Sequence, residues 1–228
     1  MVVRPVKPVE DPSAPPQLYV QPPFFKNAPG LKDIPPEVSG GALLETLRRR
    51  LGWTSYAGKR VLDFGCGVRF ARTIANLGLE FGKYVGVDVN RPAIEWLQAN
   101  LTDPRFEFAH MDAHNPLYGD SGTTMADAPA LPVSGPFDAA CMYSVITHQD
   151  PDEALRTFAL LRPVAGRLYF TAALDTTVDR YVEGDPERPR LFSRFNPEFL
   201  QSLVQQAGWT VERIYAPSHY QQHAVVSS

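Results

Sequence analysis

Three aspartates and two glycines stand at the ends of short apolar runs, where a chain that folds into strands would turn. The first run, Val61-Leu62-Asp63-Phe64, leads into Gly65-Cys66-Gly67-Val68-Arg69-Phe70. Two glycines one residue apart let the backbone turn tightly and approach a ligand with no Cβ in the way. Asp88 closes the run Tyr84-Val85-Gly86-Val87-Asp88-Val89-Asn90, 21 residues after Gly67. A carboxylate there can accept from both hydroxyls of a ribose at once, which neutral side chains do less well. Asp112 follows the run Phe106-Glu107-Phe108-Ala109-His110-Met111, where it can accept from an adenine amino group while the Ala113 amide donates to a ring nitrogen. Each acid alone also reads as a turn or cap residue, Asp112 above all, because His114, Asn115 and Pro116 follow it.

A further run ends in Tyr143-Ser144-Val145-Ile146-Thr147-His148-Gln149-Asp150-Pro151. An imidazole titrates near neutrality, so His148 suits the removal of a proton from a hydroxyl. It equally suits a structural histidine beside an Asp150 cap. His110 and His114, at the adjacent strand end, are the next candidates. His148, Asp150 and Asp152 could hold a divalent metal such as magnesium. Against that, Asp150 is accounted for as a helix cap, and Asp152 and Glu153 as acids favourable at a helix N-terminus. The metal is left open. A dinucleotide loop needs a small residue where Phe70 stands, which disfavours a nucleotide-dependent oxidoreductase.

The elements that position these residues are legible as an alternation. Strand-like runs occupy 60–64, 83–88, 105–109, 137–142 and 167–174, and helical patterns fill 69–79, 91–101 and 151–162. Asn90, Asp150 with Glu153 three residues on, and Asn196 before Pro197 mark helix starts, and Gly208 marks a helix end. An amphipathic helix with Val38, Leu44, Leu47 and Leu51 on its apolar face precedes the first strand. Alternating strands and helices predict an α/β fold with a mostly parallel sheet and helices on both faces. Two closing strands, near 209–216 and 221–227, have no helix between them and place one antiparallel strand at or near the edge. Residues 1–36 hold ten of the 22 prolines and read as a tail to about residue 17 followed by an arm or lid; 37–228 form the folded domain.

A chain of 228 residues with net charge −3 gives no reason to expect nucleic acid as a partner. No run approaches the ~20 apolar residues of a membrane span, and the N-terminus lacks a signal-peptide core, so a cytoplasmic location is expected. Cys66 and Cys141 sit in apolar runs and read as reduced, buried thiols. A homodimer is left open.

Asp63 with Gly65 and Gly67, then Asp88, then Asp112, in that order, resemble the motif set of class I S-adenosylmethionine-dependent methyltransferases, over about residues 58–228. The resemblance implies a Rossmann-like, seven-stranded, mostly parallel sheet whose last strand is antiparallel. It also implies S-adenosylmethionine as cofactor, contacted by Asp63, Gly65, Cys66, Gly67, Asp88, Val89, Asp112, Ala113 and Tyr143. One departure is Arg69, where the family pattern has a third glycine; its guanidinium can instead meet a carboxylate of cofactor or substrate. The stretch after the fourth strand lacks the Asn/Asp-Pro-Pro-Tyr of amino methylation of bases or glutamine. It resembles small-molecule and sugar O-methyltransferases, including those of methylmannose polysaccharides. The expected acceptor is a small hydroxylated molecule such as a sugar, oligosaccharide or glycolipid precursor, with His148 as base. N- or C-methylation, or cofactor binding without transfer, are the alternatives. Residues 175–195, with Arg180, Tyr181, Arg188, Arg190, Phe192 and Arg194, are expected to help line the acceptor pocket.

Overall fold

A computed structural model of the chain describes residues 36–115, 122–128, 130–184, 192–217 and 222–228. The proline-rich arm expected over residues 1–36 lies outside them up to Pro36, where helix α1 (Pro36–Arg50) begins. Then come β1 (Arg60–Phe64), α2 (Arg69–Asn76), β2 (Lys83–Asp88), α3 (Arg91–Asn100), β3 (Phe106–His110), β4 (Ala139–Met142), α4 (Pro151–Leu161) and β5 (Leu168–Leu174). The chain closes with the two-residue strands β6 (Tyr181–Val182) and β7 (Arg194–Phe195), α5 (Pro197–Gln206), β8 (Val211–Ile214) and β9 (His223–Ser227).

The helix starts follow the capping chemistry expected of them. Asn90 Oδ1 accepts from the Ala93 amide, Asn196 Oδ1 accepts from Glu198 and Phe199, and Asp150 and Glu153 form a reciprocal capping box. Each such cap is worth ~1 kcal/mol.

The sheet runs β3–β2–β1–β4–β5–β9–β8, parallel throughout except for β9, which is antiparallel to both its neighbours. This is the Rossmann-like architecture expected, with its antiparallel strand set one place in from the edge. The ribbon of β6 and β7 adds a feature that sequence periodicity does not reveal: β7 pairs in parallel with the last two residues of β5. Chain order reverses between β1 and β4, so the crevice for a ligand opens at their carboxyl ends.

Two apolar layers cover the sheet, because successive strand residues face opposite ways. Leu62, Val85, Ala140 and Phe170 meet Phe158, Leu161, Leu200 and Val204 of α4 and α5. Val61, Tyr84, Phe108 and Tyr169 meet Leu47, Ile74 and Leu97 of α1, α2 and α3. Val38, expected on the buried face of α1, is 62% exposed. The reason is the closeness of α1 to α2: a Cβ on Gly40 would lie 2.0 Å from Thr73 Oγ1. A glycine makes the contact there, and Val38 is turned outward.

The same alternation carries one acid inward. Asp63 lies between Leu62 and Phe64 and faces the α1 layer, where it is buried and accepts from the Tyr84 hydroxyl at 2.5 Å and the Cys141 thiol at 3.5 Å. Burial outweighs both hydrogen bonds and pushes its carboxyl up to about 7. A carboxyl whose folded value lies above its unfolded one binds more protons when native. Its contribution is therefore fully favourable below about pH 4 and is lost as pH rises through about 7. The wild type should lose melting temperature between about pH 5 and about pH 8, and Asp63→Asn should flatten that slope; each 1 kcal/mol is read as ~2–4 °C for a chain of this size. Parallel slopes for the two proteins in a thermal melt series would show that Asp63 is ionised throughout.

Candidate active site

The loop after β1 carries the tightest backbone demands of the site. Gly65 has φ +76 and Gly67 φ +48, a region that L side chains enter at a cost. The amides of Gly65 and Cys66 both donate to the Val87 carbonyl, at 2.7 and 3.2 Å, which folds the loop over the end of β2. A Cβ on Gly65 would sit 2.4 Å from Val145 Cγ2, so this glycine is pressed onto the segment that follows β4. A Cβ on Gly67 would meet nothing within 4 Å, and the backbone there faces open space.

Asp88 ties this loop to the next one. One carboxylate oxygen accepts from the Gly67 amide at 2.7 Å and the other from the Asn90 amide at 2.8 Å. Burial raises its carboxyl, and these amides oppose the rise. Val89 accepts through its carbonyl from His110 Nε2 at 3.1 Å, which ties the end of β3 to the turn after β2. Asp112 stands exposed at the next strand end. Ala113 differs from expectation: its amide donates to the Met111 carbonyl at 2.9 Å, and it pairs with Thr123 in an isolated bridge. The adenine contact expected of that amide would have to share it with Met111.

Cys66 is buried under the loop, its thiol pushed up by burial, so it offers a ligand its backbone rather than its sulfur. Tyr143 leans toward α1: its hydroxyl donates to the Leu43 carbonyl at 3.0 Å and its ring meets Phe70 edge-on at 5.1 Å. Phe70 thus fills the space beside the loop that a dinucleotide site keeps small.

The other wall of the crevice is built from residues far apart in the chain. Ser144, just past β4, takes φ +58, a strained value for a residue with a Cβ. Its amide donates to Thr171 Oγ1 at 2.9 Å, and its hydroxyl bonds with the Gln222 side chain at 2.9 Å. A short turn, Ile146–His148, follows. The Thr147 carbonyl accepts from the Ser193 amide at 2.9 Å, which docks the β6–β7 hairpin onto this turn. His148 is half-buried, its ring 5.7 Å from Phe192 in an edge-on contact. Burial lowers its basicity below the ordinary histidine value, so the imidazole is neutral at physiological pH. Asp150 is engaged in the capping box, and the described residues contain no cluster of His, Cys, Asp and Glu side chains arranged to hold a metal.

Several polar and charged side chains of the hairpin are engaged locally. Arg180 stacks on Phe199 at 4.3 Å, Arg194 pairs with Asp175 at 2.6 Å, and the Tyr181 hydroxyl bonds with Ser193 Oγ at 3.2 Å. These groups hold the hairpin to itself and to α5. Phe192 alone of the described ones meets His148; Arg188 and Arg190 lie outside the described residues. Ser144, Thr171 and Gln222 were not among the sequence candidates. The polar Thr171 inside the apolar run of β5 was the one available signal.

Residues 40–214 match a family described as a methyltransferase domain. No curated protein matches the chain. Among solved structures, the magnesium protoporphyrin IX methyltransferase of Synechocystis PCC 6803 aligns with a TM-score of 0.52 at 16% identity, covering 84% of this chain and 78% of that one. An S-adenosylmethionine-dependent methyltransferase of Mesorhizobium loti gives 0.56 at 15% identity, covering 80% and 95%. The 1,6-didemethyltoxoflavin-N1-methyltransferase of Burkholderia thailandensis gives 0.57 at 19% identity, covering 87% and 80%. At such identities the likeness is one of fold.

The contact between Gly65 and Val145 can be tested apart from any ligand. Gly65→Ala adds a left-handed strain of ~1–2 kcal/mol and the clash with Val145. Val145→Ala in that background should restore part of the loss, with a coupling of ~0.5–3 kcal/mol in a double-mutant cycle of denaturant unfolding. Strict additivity would separate the two residues.

Proposed function

We propose that the chain, which belongs to the methyltransferase-domain family and is an S-adenosylmethionine-dependent methyltransferase, passes the methyl group to an oxygen atom of a small hydroxylated acceptor. The residues at the crevice suit the cofactor. The backbone at Gly67 faces open space, Asp88 keeps lone pairs beyond the two that accept from amides, and Asp112 is exposed one strand further along. When bound, S-adenosylmethionine supplies a methyl group on a sulfonium that is already primed to leave. What is left to the protein is alignment, exclusion of water and care of the acceptor's proton.

The observation that carries the choice of oxygen is His148. Its imidazole is neutral, half-buried, beyond the end of β4, and without a carboxylate partner among the described residues. A hydroxyl must give up its proton as it is methylated, and a neutral imidazole can take it. Phe192 offers an apolar edge beside that base, suited to the face of a ring or sugar. The compared proteins include a magnesium protoporphyrin IX methyltransferase and a toxoflavin-N1-methyltransferase, so this fold does not dictate the acceptor. Sugars, oligosaccharides and glycolipid precursors, mannose-containing ones among them, are the acceptors to screen first with radiolabelled cofactor.

His148→Ala should leave S-adenosylmethionine affinity unchanged by calorimetry and lower kcat by ~10²–10⁴-fold. Turnover of the wild type should fall on the acid side only as pH drops below the ordinary histidine range, because burial favours the neutral base; an acid limb at or above ~6.5 would contradict this. A near-wild-type rate for His148→Ala would remove the base and, with it, the argument for oxygen. Asp88→Ala should instead weaken cofactor binding, by ~1.5–3 kcal/mol for lost hydrogen bonds to a charged group, and unchanged affinity would remove the ribose assignment.

A further inference from the structure

Away from the crevice, on the α1 face at the β8–β9 edge, the last turn of α1, the start of β5 and the end of β8 border an open cavity of about 310 Å³. Arg49, Arg50, Arg167 and Arg213 line it, with Glu212 the single acid in the lining. Glu212 is taken by Arg167 Nη2 at 2.5 Å, and Arg167 Nη1 donates to the Leu51 carbonyl at 2.6 Å. Arg49 is held by Glu45 at 2.6 Å. That leaves Arg50 and Arg213, and no carboxylate of the described residues lies within ion-pair reach of either.

Both guanidiniums are oriented by one ring. Arg50 lies 4.3 Å and Arg213 5.8 Å from the centroid of Tyr215. Arg50 gives one of its five N–H donors to the Tyr169 hydroxyl at 2.9 Å, which fixes its plane and leaves the others to the cavity. Basic residues in the last turn of a helix favour the negative end of its dipole, which accounts for Arg48, Arg49 and Arg50 as a group. It does not account for Arg213, which comes from a different element yet lines the same cavity and lies near the same Tyr215 ring as Arg50. Like charges lining one cavity repel, and the chain as a whole carries −3, so a generally basic composition is not the cause.

The geometry points to a second ligand site: Arg50 and Arg213 hold a small molecule bearing a phosphate-type dianion, at a place distinct from the methyl-donor crevice. Guanidinium forks match the oxygens of such a group and form charge-assisted hydrogen bonds to it. A cavity at the small end of the usual range for ligand sites admits a phosphate-bearing fragment rather than a strand of nucleic acid. Tyr169 and Tyr143, their rings 5.2 Å apart, stand between this site and the glycine loop.

Calorimetric titration of the full chain with inorganic pyrophosphate, against chloride at matched ionic strength, tests the site. Saturable one-to-one binding is expected, weakened about tenfold or more by Arg213→Gln through loss of a charge-assisted contact. Arg213 is exposed on an edge strand, so that variant should keep the wild-type melting temperature and methyl-donor affinity. Arg105→Gln, which removes a surface pair with Asp103 elsewhere, should bind pyrophosphate as the wild type does. No saturable binding, equal weakening by the two variants, or competition between pyrophosphate and S-adenosylmethionine would each overturn the assignment. The last result would place the anion in the crevice while leaving the methyltransferase reading intact.

Discussion

The site depends on one carboxylate holding two loops. Asp88 accepts from Gly67 in the β1–α2 loop and from Asn90 at the cap of α3. Without it, the amides of two separate turns would face each other at the mouth of the crevice with no shared acceptor. An ionised carboxylate has about four lone-pair sites, and two remain after these bonds. The same group therefore joins the two loops and keeps acceptor capacity beyond them. Its burial raises its carboxyl, and the two amides oppose that rise.

Beneath that carboxylate lies a second acid, likewise raised by burial but with different partners. Asp63 has a hydroxyl and a thiol for partners instead of two amides, and its carboxyl sits about 7. The difference comes from position along the strand. Asp88 is at the carboxyl end, where unpaired backbone amides of the following turns converge. Asp63 is still inside β1, paired on both sides with β2 and β4, where backbone amides belong to the sheet. It can be reached only by side chains of its own layer, Tyr84 and Cys141. The motif acid of the first strand is thus built into the floor of the site, and the motif acid of the second into its rim.

This division also explains how much could be read from the chain. The glycine-loop half of the crevice is local. Gly65, Gly67 and Asp88 act within a few residues of a strand end, and their spacing reflects one helix plus one strand, so strands, caps and loop acids were legible together. The Met111 carbonyl as partner of the Ala113 amide is not legible locally, because it depends on how the turn closes against Thr123. Val38 was misjudged because helical periodicity does not say how closely α1 and α2 approach, and Gly40 sets that distance. The opposite wall is non-local. Ser144 meets Gln222 across 78 residues, His148 meets Phe192 through a hairpin, and strands of two residues carry no periodic signal at all.

The non-local wall has a consequence for His148. A histidine with a carboxylate neighbour would hold its proton more firmly and would be a poorer base at neutral pH, since an opposite charge favours the imidazolium. Asp150 is only two residues from His148 and could have played that part. The capping box turns it instead toward the amide of Glu153, while Glu153 reaches back to the amide of Asp150. With the nearest acid engaged in starting α4, burial beside Phe192 is left as the influence on His148, and burial favours the neutral form. The capping box therefore serves two purposes through the same hydrogen bonds. It begins the helix that carries the α4 layer of the core, and it engages the acid nearest to His148 in sequence.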